Sequence, residues 1–96
     1  MLPSSTVWVF TGRRGPFPGG IFSAVDRAET WIRQHRLTGT LTAYPLDQGC
    51  FDWAEAAGCT GLSRDKLALK RQEPDFIGSF TTAAQEHFHY DNGERV

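Results

Sequence analysis

The strongest constraint on the fold is residues 23–39, where every local signal describes one amphipathic helix. Val25, Ala28, Trp31, Ile32 and His35 recur at three-four spacing and form a single buried stripe. Ser23 offers a hydroxyl to the orphan backbone donors of the first turn, and Asp26 completes a variant capping box. Asp26 and Glu29 lie near the positive end, and Arg33, His35 and Arg36 near the negative end. Glu29 and Arg33 are spaced for an ion pair along the helix. Gly39 suits the left-handed position that closes such a helix. A main helix over about 24–38 must bury its stripe against something, and the flanking segments are strand-like.

Val7-Trp8-Val9-Phe10 is β-branched and aromatic, apolar on both faces, and reads as a central or doubly covered strand. Gly12, Gly15, Gly19 and Gly20, with Pro16 and Pro18, supply turn chemistry. Ile21-Phe22 ends a short second strand, so the two form a hairpin with a stiffened loop carrying Arg13, Arg14 and Phe17. Thr40-Leu41-Thr42-Ala43-Tyr44 reads as a third strand, stopped by Pro45. Asp47-Gln48-Gly49 is a turn, and Asp52 caps a short helix over 53–57 that Gly58 ends.

Residues 59–73 are polar and read as a mobile connection with some helical content at Leu62, Leu67 and Leu69. Pro74 opens a further turn of helix over 75–80, burying Phe76, Ile77 and Phe80. The last strand is Gln85-Glu86-His87-Phe88-His89-Tyr90, with Gln85, His87 and His89 on one side and Glu86, Phe88 and Tyr90 on the other. Asp91-Asn92-Gly93 makes a turn, and the tail beyond it is expected to fray.

The expected architecture is therefore α+β in two layers. An antiparallel sheet of three or four strands packs against the main helix, with short helices besides. A chain of 96 residues implies one domain, ordered over about 6–92. With 40% apolar residues, 22% charged and a net charge of -1, disorder is excluded and a duplex-coating protein disfavoured. No apolar run is long enough for a transmembrane helix. Met1-Leu2-Pro3-Ser4-Ser5 has neither a basic start nor an apolar core, so no signal peptide is read and a cytoplasmic location is expected. Cys50 and Cys59 match no common zinc knuckle and are expected as reduced thiols.

Taken together, Val7-Trp8-Val9-Phe10, Phe17-Pro18-Gly19-Gly20-Ile21-Phe22-Ser23, Ala28-Glu29-Thr30-Trp31-Ile32 and Leu37-Thr38-Gly39-Thr40-Leu41-Thr42-Ala43-Tyr44-Pro45-Leu46-Asp47 form a recurring string. So do Asp52-Trp53-Ala54, Phe76-Ile77-Gly78 with Phe80, and Gln85-Glu86-His87-Phe88-His89-Tyr90. As a set they resemble a family of small stand-alone bacterial domains of unknown function, over about residues 7–93. The resemblance implies no activity. Arg13-Arg14, Cys50 and the segment after Gly58 depart from the family pattern and leave the loop chemistry open.

Three sets of residues carry chemistry. His87 and His89 on one strand face, roughly 6–7 Å apart, supply two ligands for a divalent metal, with Asp91 in register as a third. Arg13 and Arg14 on a turn beside Phe17 suit a phosphate, a single-stranded nucleic acid or an acidic partner. The aromatic surplus leaves Phe17, Tyr44, Trp53 and Tyr90 as candidate partner contacts. No nucleophile elbow or metalloenzyme signature is present, so the expected function is a non-catalytic protein-interaction or self-associating module without a cofactor. Divalent-metal binding is the alternative, and single-stranded nucleic-acid or anion binding the second; no membrane partner is expected.

Overall fold

The computed structural model describes residues 6–96; residues 1–5, read above for the absence of a signal peptide, lie outside them. The chain divides into two compact units, residues 6–46 with 86–96 and residues 47–85.

The first unit is a sheet with one helix on it. β1 (Thr6–Gly12), β2 (Pro18–Phe22), β3 (Gly39–Pro45), β4 (His87–Asp91) and β5 (Glu94–Arg95) form an antiparallel sheet in the order β2-β1-β3-β4-β5. β1 is an inner strand as its composition requires, paired along its whole length with β3 from Thr6↔Pro45 to Gly12↔Gly39. α1 (Val25–His35) covers one face, where Ala28 and Ile32 are completely buried against Phe10, Leu41 and Tyr90. Trp31 meets Phe10 edge-on at 5.6 Å and lies against Phe22 at 5.3 Å. Register and alternation put Val9, Ile21, Thr40, Thr42, His87 and His89 on the opposite face.

Two details of the helix differ from expectation. Its N-cap is Ala24 without a side-chain bond, while Asp26 accepts a hydrogen bond from the Arg27 amide. It ends earlier, at Arg36, whose φ of 53° is left-handed; the Leu37 amide then donates to the Ile32 carbonyl at 3.0 Å. Leu37 packs on the core, and that apolar contact favours the early turn. Gly39 is thereby released to start β3. A Cβ there would stand 2.3 Å from the Thr11 carbonyl oxygen and 2.8 Å from the Phe10 ring, so only glycine lets β1 and β3 approach.

The sheet has five strands, one more than the upper expectation. Asn92 and Gly93 both have positive φ, 50° and 87°, and form a two-residue hairpin turn pairing Asp91 with Glu94 and Tyr90 with Arg95. The Val96 amide donates to the His89 carbonyl at 2.9 Å. The tail expected to fray past residue 92 is thus an edge strand. Arg95 is further held by the Glu29 carboxylate and stacks over Phe88 at 3.9 Å.

The second unit contains α2 (Cys50–Ala57), α3 (Arg64–Lys70) and α4 (Pro74–Gly78). α2 begins three residues earlier than expected, with Gly49 as N-cap and Asp52 in the first turn, and Gly58 ends it in the left-handed region. The segment read as a mobile connection contains α3, because the Ser63 hydroxyl caps it by accepting from the Lys66 amide at 3.3 Å. Pro74 occupies the first turn of α4 as expected. Phe51, Phe76 and Phe80 meet at 5.4 to 6.0 Å between ring centres, and Phe51 and Ala54 are buried. No helix among the described residues is long and apolar enough to cross a membrane.

Candidate functional site

The sheet unit carries a shallow cavity of about 220 Å³ lined by Arg13, Thr38, Gly39, Thr40, His89 and Tyr90. Its geometry follows from the strand register. The pairing Thr40↔His89 puts a hydroxyl beside an imidazole, with Thr40 Oγ1 and His89 Nδ1 3.4 Å apart. The close approach at Gly39 lets the Arg13 amide donate to the Thr38 carbonyl at 3.0 Å, one residue beyond β1. That bond fixes the start of the hairpin turn against the beginning of β3, and the turn closes with the Gly15 amide on the Gly12 carbonyl.

Arg13 and Arg14 are both exposed on this turn, and only Arg13 lines the cavity. The Arg13 guanidinium has no carboxylate partner among the described residues. Phe17, on the same loop, is 79% exposed.

The imidazoles of His87 and His89 lie 5.3 Å apart between ring centres, nearly perpendicular at 84°. Asp91 does not join them. Its carboxylate accepts from the Thr38 hydroxyl at 3.4 Å, and that hydroxyl in turn accepts from the Asn92 amide at 3.0 Å. Among the described residues no three His, Cys, Asp or Glu side chains converge where a metal ion could sit. The histidine pair therefore remains two ligands without a third.

Tyr90 is not a surface contact. It is 3% exposed, and its hydroxyl donates to Glu29 at 2.6 Å. An aromatic alternating with two histidines on a half-covered sheet falls on the helix side, and that placement decides its role. Burial and the hydrogen bond to Glu29 push the Tyr90 phenol up to about 12. Burial acts to raise the Glu29 carboxyl, but the Tyr90 hydroxyl and the Arg95 guanidinium outweigh it and hold the group below its ordinary value. Tyr44 and Trp53 are half-buried.

Cys50 and Cys59 are both free. Burial pushes the Cys50 thiol up, and its neighbour is the carboxamide of buried Gln85, 3.7 Å from the sulfur. Burial of this kind disfavours the thiolate, which is the nucleophilic form.

Three residues of this face are not marked by the sequence pattern. Ile21 is 66% exposed; alternation against buried-side Phe22 is the signal that reveals it. Thr38 and Thr40 gain significance only from the β3–β4 register, which no local signal specifies.

Comparison with curated proteins and with solved structures gives no match. Residues 7–96 match the model of a family described as Domain of unknown function (DUF7710), and the chain belongs to that family.

Proposed function

We propose that this protein is a non-catalytic interaction module whose contact element is the β1–β2 hairpin. The observation that carries the reading is the exposure of Phe17, 79%, and Ile21, 66%, on and beside an outermost strand. Large apolar side chains so placed cost free energy in water and are recovered by contact with another chain. β2 pairs with β1 on one side only, so its outer backbone groups are suited to accept another strand. A second copy of the chain is the first occupant, because one strand meeting its own copy about a two-fold axis is self-complementary.

Sedimentation equilibrium at rising concentration tests the reading. The wild-type mass should climb toward a dimer, and Ile21→Asp, exposed and therefore tolerated by the fold, should remain a monomer. A wild-type monomer at every concentration, or association that Ile21→Asp leaves unchanged, would refute it.

A further inference from the structure

We infer that the cavity between the hairpin turn and the start of β3 binds an oxyanion group, a phosphate or carboxylate, through Arg13, Thr40 and His89. This does not depend on β2 binding a partner. The cavity is a built feature of the sheet: Gly39 permits the close strand approach, and the Arg13 amide is pinned to Thr38. A guanidinium with no carboxylate partner among the described residues presents a planar fork of donors that matches two oxygens of a phosphate or carboxylate.

The Thr40–His89 pair adds a donor in either tautomer. When the Thr40 hydroxyl donates to Nδ1, the imidazole presents Nε2–H. When Nδ1–H donates to the hydroxyl oxygen, Thr40 presents its own O–H. The cavity is spacious enough for a phosphate group and part of whatever carries it. Arg14 follows on the same turn, and Arg36 ends α1 two residues before Thr38, so basic residues cluster in the chain segments around this end of the sheet. Asp91 opposes them from its hydrogen bond to Thr38. A metal ion would require further protein ligands, and among the described residues no third His, Cys, Asp or Glu joins the two histidines, whereas an anion needs only donors.

Amide and arginine side-chain NMR titration of the full chain with inorganic phosphate, O-phosphoserine and acetate provides the test. Arg13, Thr40 and His89 should shift saturably, with a Kd for the best ligand of about 1 mM or tighter. Arg13→Gln should weaken that binding about tenfold or more. Arg14→Gln should leave it within about twofold, and Asp91→Asn should tighten it. The same spectra report whether each variant is folded. Phosphoserine binding more tightly than phosphate identifies a carried phosphate as the ligand source; equal binding identifies the free ion; preference for acetate identifies a carboxylate. The inference fails if no ligand gives saturable shifts, or if Arg14→Gln costs as much as Arg13→Gln, which marks diffuse attraction.

Discussion

The two units of this chain solve the burial problem differently. The sheet unit joins segments distant in sequence by ladders of backbone hydrogen bonds, and a single helix seals one face with Ala28 and Ile32 fully buried. The unit over residues 47–85 builds on helices of eight, seven and five residues around three phenylalanine rings. Helices that short are marginal alone and depend on caps and on one another. The sheet unit thus concentrates its stability in a few unforgiving backbone positions, while the helical unit distributes it among rings and caps.

The sharpest challenge to that contrast is Gly39→Val. With 2.3 Å between a Cβ and the Thr11 carbonyl, the β1–β3 ladder must separate, at a cost of about 3 kcal/mol or more. Urea unfolding would be followed by Trp8 and Trp31 in a variant lacking Trp53, and by Trp53 in a variant lacking the other two. The sheet-unit midpoint should fall steeply. If both probes fall together by the same amount, the units unfold as one and the contrast is only geometric.

Next in size come Phe51→Ala and Ile32→Ala, expected to cost about 3–4 and about 3 kcal/mol in their respective units. Denaturant midpoints read by the same probes should assign each loss to its own unit.

A smaller effect follows from Gly93→Ala, because φ of 87° is strained for any residue with a Cβ. About 1 kcal/mol should be lost, with increased amide exchange confined to β5 and the end of β4. Uniform exchange throughout the sheet would show that the tail strand belongs to the cooperative core.

The smallest effect is in pH. The raised Tyr90 phenol contributes stability that is fully present below its unfolded value and is lost as pH rises toward about 12. The lowered Glu29 carboxyl contributes stability present above its unfolded value and lost as pH falls through its depressed folded value. Thermal melts should therefore show a plateau near neutrality with a decline at each extreme. Tyr90→Phe should flatten the alkaline decline. An unchanged decline would assign it to other groups.

The same contrast explains what can be read in the residues alone. α1 is legible because its apolar stripe recurs over three turns, and β1 and β3 because their β-branched and aromatic residues end at Gly12 and Pro45, although the caps of α1 lie at Ala24 and Arg36 and not where Ser23 and Gly39 suggest. α3 is not, because its signal is one serine cap and an apolar pattern with no buried residue. β5 stays hidden although Asn92-Gly93 is a strong hairpin dipeptide, because its strand is only two residues long. The candidate site is legible in its parts and not in their grouping. Arg13 and His89 stand out in the sequence, but only the antiparallel register of β3 brings them to one cavity and sets Thr38 where it bonds Asp91.

The chain leaves β3 and re-enters at β4 from the same end of the sheet, since Thr42 faces His87 and the Ala43 amide donates to the Glu86 carbonyl at 2.8 Å. Whatever joins these strands begins and finishes at neighbouring points. Closure entropy rises only slowly with the length joined, so lengthening a loop within residues 47–85 should cost the ladder that holds their two anchors little.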